Sequence, residues 1–346
     1  MSRQVGVCIV GMGIGRENAK GFLADKRSRI VALCDVVQAK MDACARELGG
    51  EVKTYTDYRR MCRDREIDAV FVGTPNQWHV PIAVEAMRRD KHVMVTKPLA
   101  DSARAAARAV EVAEKSGVVN MMSLSTRFSD RVQCLGRQVR GGTFGELYYG
   151  RARSIRRSGI PDWSEGFILA GGGAFRDMGV HVLDAAWWLL GMPRPLSATG
   201  VGGAKFGPFG KGWWDFHKPP KFYKRYAADD YAGGFIRFEG GSALTVESFW
   251  ACHQAPDFQI ELFGTEAGAK LQPLTVYRTV DGAPNDTTVE MPRGLPSGWN
   301  VMASHFLDCI LRGSQCSAPL RHGLVVQQMM EAVLKSAQTG REVRLA

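Results

Sequence analysis

The chain has 346 residues, 45% hydrophobic and 23% charged, the balance of a globular protein with room for two domains of ordinary size. No stretch approaches the ~18 uninterrupted apolar residues of a membrane helix, and the opening MSRQVGVCIVGMG runs straight into an apolar segment and a glycine turn, without the apolar core and cleavage site of a secretory signal, so a cytoplasmic chain with no membrane partner is expected. The formal charge of +10 is dispersed and no nucleic-acid-binding motif accompanies it, so no nucleic-acid partner is expected and the surplus reads as solvated surface that steers anions.

Residues 4–10 predict a strand, followed at once by glycines and a helix-compatible stretch, ENAKGFLAD. A second strand is predicted at 30–34, a helix at 36–48 closed by Gly49–Gly50, and a third strand at 68–73 cut by Pro75. Then come a helix at 80–89, a strand at 92–95, an Ala-rich helix at 101–116 stopped by Gly117, and a strand at 118–122. Short apolar strands alternating with helices predict a parallel sheet whose carboxyl ends share one ligand-binding edge. Beyond residue 124 the pattern changes. A helix at 129–141 and a strand at 147–155 lead through a glycine-rich loop to a strongly apolar helix at 174–190. Strands at 231–238, 242–250, 257–263 and 269–279 and a last helix at 318–338 follow. The predicted class is α/β: a doubly wound parallel sheet of Rossmann type over 1–123, then an α+β domain with a mostly antiparallel sheet over 124–346.

The first turn reads Gly11-Met12-Gly13-Ile14-Gly15-Arg16, one residue shorter than the usual G-x-G-x-x-G. Glycines there allow a tight turn and close approach of a pyrophosphate to the N–H groups of the helix that follows. The second strand ends in Asp35, twenty residues after Gly15. A carboxylate there accepts from ribose hydroxyls and repels a 2′-phosphate, so NAD is expected over NADP. The loop Thr74-Pro75-Asn76, with His79 beyond it, either edges the dinucleotide or is simple turn chemistry.

Lys97 follows the fourth predicted strand and lies at the same carboxyl edge, with Pro98 blocking a helix behind it. Its ammonium suits stabilisation of a developing alkoxide. Asp177 and His181 are i, i+4 neighbours on an otherwise apolar helix, where unpartnered polar groups cost about 1–3 kcal/mol each. They either satisfy each other or line a site. His181 suits removal of a hydroxyl proton, and Asp177 suits orienting it or holding a neighbouring hydroxyl. Alcohol oxidation needs a hydride acceptor, a base and an alkoxide partner, and candidates for all three are present. The eight cysteines form no C-x-x-C pair and no metal spacing beside paired histidines, so no metal site and no functional cysteine is expected.

The segments VGVCIVGMGIGR, VALCD, GTPNQWHVPIAVEAM, HVMVTKPLA, LSTRFSD, GGGAFRDMGVHVLDAAWWLLG and ADDYAGGFIRFEGGSALTVESFW together resemble the Gfo/Idh/MocA oxidoreductase family over nearly the whole chain. The resemblance implies an N-terminal Rossmann domain and a C-terminal domain with a large open sheet that builds homodimers or homotetramers. It implies Lys97 and His181 as catalytic, with Asp177 holding substrate, and places Thr74, Pro75, Asn76 and His79 by the cofactor. The family's Glu before the lysine is Thr96 here, which removes a carboxylate able to tune Lys97. The segment 153–163 looks like that of sugar-type members, with Arg156 and Trp163 as candidates at the substrate mouth. The aromatic, basic stretch 205–226 is a lid, an oligomer arm or a packed surface loop. The expected activity is hydride transfer between a secondary alcohol of a sugar, sugar derivative or cyclic polyol and NAD(P). The alternatives are redox-neutral cleavage of a glycoside through transient oxidation, and a non-catalytic dinucleotide-binding regulator.

Overall fold

The computed structural model describes residues 4–49 and 51–345. Gly50, expected to help close the second helix, lies outside them. Gly49 alone supplies the left-handed cap, at φ 67°. The chain divides into two compact units: residues up to Phe128 together with Pro296–Gln327, and Ser129–Leu295 together with the residues from Gln328 onward. A single cut at 123/124 therefore does not describe the division, because a late segment rejoins the first unit.

In the first unit, β1 (Val5–Val10), β2 (Ser28–Cys34), β3 (Lys53–Tyr55), β4 (Ala69–Val72), β5 (His92–Thr96) and β6 (Asn120–Ser123) form one sheet in the order 3-2-1-4-5-6. All its pairings are parallel. The helices α1 (Ile14–Leu23), α2 (Gln38–Leu48), α3 (Tyr58–Met61), α4 (His79–Met87) and α5 (Ala103–Ser116) connect them. Every residue of β1 and β4 is buried, as expected of central parallel strands covered on both faces. The order reverses between β1 and β4, the switch point at which such sheets bind ligands. The late segment adds a helix, Gly298–Arg312, started by Ser297 Oγ accepting the Asn300 N–H. It packs on α1 at Gly21, where a Cβ would lie 2.9 Å from the Trp299 carbonyl oxygen.

The second unit has α6 (Asp130–Arg140), β7 (Leu147–Ile155), α7 (Val180–Leu189), β8 (Pro195–Gly203), β9 (Tyr231–Phe238), β10 (Ala243–Phe249), β11 (Asp257–Gly264), β12 (Gly268–Lys270), β13 (Thr275–Val280) and β14 (Ala283–Thr288). With the helix Gly298–Arg312 taken as α8, the chain ends in α9 (Leu320–Thr339) and β15 (Val343–Arg344). The nine-stranded sheet runs 14-13-12-11-7-10-9-8-15 and is antiparallel except between β7 and β10. The apolar helix α7 packs on β7, β10 and β11, whose Ala152, Leu244, Val246 and Leu262 are buried.

Differences from the predicted elements have local causes. The run 269–279 is two strands, because Pro273 lacks the N–H a ladder needs, while Leu271 and Leu274 bury themselves in the turn. β8 carries three glycines in PLSATGVGG and shows no alternation, and β14 is exposed along its whole length, so neither presents a hydrophobic period. The short β3 and α3 lie below the length at which period is readable. The apolar helix at 174–190 opens as a π turn, Phe175–Gly179, before becoming α7.

Candidate active site

The glycine turn of the first unit assigns a different task to each glycine. Gly11 has φ 86°, and a Cβ there would stand 2.5 Å from the Gly73 carbonyl oxygen. Gly15 lies on β1, where a Cβ would meet Ile9 Cγ2 at 2.9 Å. Around Gly13 nothing lies within 4 Å of the Cβ position, so this glycine leaves open space at the start of α1. No side chain caps that helix end. Open space over uncapped N–H groups is the cradle a pyrophosphate requires.

Asp35 holds the rim of this cradle. Its Oδ2 accepts the Met12 N–H at 2.8 Å and its Oδ1 the Val37 N–H at 3.0 Å. The carboxylate thus braces the glycine turn in addition to any ribose contact. Met12 is nearly buried, Ile14 is 41% exposed, and Arg16 is ion-paired with Glu47 of α2. At the end of β4 the Thr74 hydroxyl is buried with no protein partner, a donor awaiting a ligand acceptor. Pro75 is exposed beside it, and Asn76 opens a short turn, Asn76–Trp78. The residues around Gly13, Asp35 and Thr74 therefore fit a dinucleotide.

His79 does not. It is fully buried, with Nδ1 2.8 Å from the Pro98 carbonyl oxygen and Nε2 2.7 Å from that of Thr74. Burial pulls its pKa below the usual range, against the carbonyls. The expectation of a cofactor contact gives way to a brace that ties the loop after β4 to the loop carrying Lys97. Lys97 is half-buried and precedes Pro98 through a cis peptide bond. Thr96 is buried opposite Ser123 of β6, so the place of the family's Glu holds a small neutral side chain.

In the second unit, Asp177 lies in the π turn and His181 in the first turn of α7, both half-buried. The Trp250 indole N–H donates to Asp177 Oδ2 at 2.9 Å. The half-buried Arg156 feels the Asp177 charge, while burial holds its own pKa down. Its guanidinium lies 4.7 Å from the ring centre of Trp214, and Trp214 meets Trp163 edge-on at 5.2 Å. Trp163 is 59% exposed. Asp177, Arg156 and Trp163 thus belong to one neighbourhood, joined by two tryptophans that sequence reasoning missed.

Much of the stretch 205–226 packs against the rest of its unit, while Phe209 and Phe216 stay exposed. Trp213 is buried and packs with Ile160, Ile168, Ala174 and Trp250 in a small core of its own, partly covered by Phe222 and Tyr226. Two successive carboxylates anchor this region. Asp230, fully buried, accepts the N–H groups of Lys205, Phe206 and Gly207. Asp229 accepts the Phe175 N–H at 2.9 Å, and burial pushes its carboxyl up to about 6. A Cβ at Gly173 would strike Asp229, and one at Gly172 would strike the Phe167 carbonyl, so close packing explains the glycine run. The signal for both aspartates is the pair itself, at a strand start after an aromatic insertion.

Both units match models of a single family: residues 5–124 the oxidoreductase family with an NAD-binding Rossmann fold, and residues 132–270 the GFO/IDH/MocA C-terminal domain. The chain belongs to the Gfo/Idh/MocA oxidoreductase family. It is 29% identical to D-glucoside 3-dehydrogenase of Escherichia coli K12, over 98% of this chain and 97% of that one. It is 27% identical to scyllo-inositol 2-dehydrogenase (NAD(+)) of Bacillus subtilis 168, over 90% and 88%. Among solved structures, levoglucosan dehydrogenase in complex with NADH and levoglucosan shares the fold, with a TM-score of 0.85, 21% identity and 99% of each chain covered.

Proposed function

We propose that this chain is an NAD-dependent dehydrogenase that oxidises a ring secondary hydroxyl of a sugar, a glycoside or a cyclic polyol. The observation that carries the reading is the anchoring of Asp177. A carboxylate fixed by an indole N–H, beside a guanidinium and an exposed tryptophan face, is suited to hold vicinal hydroxyls and the apolar face of a sugar ring. The names of the glucoside and inositol relatives agree with that substrate class. NAD, when bound, supplies the hydride acceptor. Gly11, Met12, Gly13, Ile14 and Gly15 line the pyrophosphate turn, Asp35 accepts from the ribose hydroxyls, and Thr74, Pro75 and Asn76 border the dinucleotide. Arg16, paired with Glu47 through one guanidinium nitrogen, joins them through its other donors.

His181 is assigned as the base that takes the hydroxyl proton, since an imidazole titrates near neutrality. Lys97 stabilises the charge that develops on the hydroxyl oxygen. Asp177 and Arg156 position neighbouring hydroxyls, and Trp163 receives the ring face. The face of the nine-stranded sheet opposite α7 carries Tyr149 in contact with both Phe235 and Phe263, together with the ion pairs of Arg153 to Asp257 and Glu261. We assign it to a homodimer or homotetramer. The eight cysteines, all free thiols, suit the cytoplasm.

A panel of glycosides, aldoses and cyclic polyols with NAD and NADP, followed by the absorbance of reduced nicotinamide, tests the reading. NADH accumulating with one substrate class is the expected result. Aglycone release without net NADH would replace it with redox-neutral cleavage.

A further inference from the structure

Eight cysteines are scattered along the sequence, but two of them meet near the end of α8. Cys309 lies in the last turn of that helix and Cys316 seven residues on, past a left-handed cap at Gly313. The two Sγ atoms and a ring nitrogen of His305 all lie within 4.8 Å of one another. His305 Nε2 is 3.6 Å from Cys309 Sγ and accepts the Ser317 N–H at 2.9 Å, so it carries a lone pair and leaves the ring proton on Nδ1. Cys309 is 4% exposed, whereas Cys316 is half-buried next to the exposed residues 311–315.

The two thiols differ in character. The Cys309 thiol donating to Cys316, then the Ala318 N–H and the guanidiniums of Arg127 and Arg321, hold Cys316 below the usual thiol range in spite of its burial. That same bond pushes Cys309 up. By contrast, Cys8, Cys34, Cys44 and Cys62 are all pushed up by burial. A thiolate near guanidiniums, a second thiol within 4.8 Å and a base behind the second thiol are the components of a dithiol exchange site. A divalent cation is less well served, because two guanidiniums stand nearby.

We propose that Cys316 and Cys309 form a reactive dithiol that takes low-molecular-weight disulfides, Cys316 attacking and Cys309 resolving. In the first step Cys316 Sγ bonds to one sulfur of RS–SR. That disulfide breaks, and RS⁻ leaves to be protonated by solvent. In the second, His305 Nε2 releases the Ser317 N–H and takes the Cys309 proton, and Cys309 bonds to Cys316 Sγ, expelling the second RS⁻, which takes up a proton. Two protein thiols are oxidised to one disulfide, and RS–SR is reduced to two RSH. This reading departs from the expectation that no cysteine here has a function.

The test uses the full chain in glutathione redox buffer, quenched with acid, alkylated and analysed as peptides. A Cys309–Cys316 cross-link is expected in the wild type, a glutathione adduct held on Cys316 in Cys309→Ser, and no adduct at Cys309 in Cys316→Ser. Cys316 should react with iodoacetamide at least roughly tenfold faster than the equally half-buried Cys134 and Cys252. In His305→Gln, which keeps an acceptor for the Ser317 N–H, the adduct should persist roughly tenfold longer before the cross-link forms. Absence of the cross-link, or alkylation of Cys316 at the rate of Cys134 and Cys252, overturns the proposal. So does one zinc ion per chain that protects both sulfurs.

Discussion

The two units hold their candidate residues by different means. In the first, backbone does the work. Three glycines and one carboxylate bonded to main-chain N–H groups shape the turn, and an imidazole between two carbonyls steadies the next loops. In the second, side chains do it: a buried indole anchors Asp177, and a separate aromatic core supports that indole. Both means reach across the sequence: Gly11 faces the Gly73 carbonyl, and Trp250 lies 73 residues from Asp177.

Substitutions can break this comparison, taken here from the largest expected effect to the smallest. His181→Ala and Lys97→Ala should each lower kcat by about 10²–10⁴-fold, with NAD affinity by calorimetry changing only a few fold. Near-wild-type turnover in either variant would remove it from the mechanism. Trp213→Ala should cost about 3–5 kcal/mol in denaturant unfolding and raise KM for the alcohol, because the core beneath Trp250 collapses. On the backbone side, Gly11→Ala should destabilise by about 1–3 kcal/mol and abolish NAD binding, since φ 86° and the Gly73 carbonyl both oppose a Cβ. Gly13→Ala should leave stability unchanged and weaken only NAD binding. Equal effects at the two positions would refute the division of labour between these glycines.

Trp250→Phe keeps a ring in the core and removes the donor to Asp177. It should lower kcat/KM by roughly tenfold, at a stability cost of about 1 kcal/mol. The smallest effect concerns pH. Asp229 titrates at about 6 in the fold against an ordinary 3.8, so the fold favours its protonated form. Its contribution to stability is complete below about pH 4 and is lost as pH rises through 6. Asp229→Asn should flatten that part of the Tm-against-pH profile, and an unchanged profile would count against the burial of this carboxyl.

The same contrast explains what was legible. The strand–turn–helix pattern, Asp35 and the alternation of β1, β2, β4 and β5 were readable because hydrophobic period and turn chemistry are local properties. His79 was visible as a residue but not as a brace, since its partners are carbonyl oxygens that any sequence supplies. Trp213, Trp214 and Trp250 could be counted, yet nothing in their spacing tells which one is buried against Asp177. The return of 296–327 to the first unit was hidden because that segment follows all but the last strand of the second sheet. The meeting of Cys309 and Cys316 depends on how α8 ends, a matter of one left-handed glycine.

The adjacent aspartates lead to a rule for engineering. Asp229 looks toward the turn that carries Asp177, and Asp230 toward the start of the aromatic insertion, while the Asp230 carbonyl oxygen accepts the Trp250 N–H. The turn that carries Asp177 and the insertion therefore hang from the same two residues, as two doors hang from one post. A loop transplanted from a relative to change the preferred sugar should carry this post along with it. Grafts that stop at residue 226 would move the aromatic wall and leave its hinge behind.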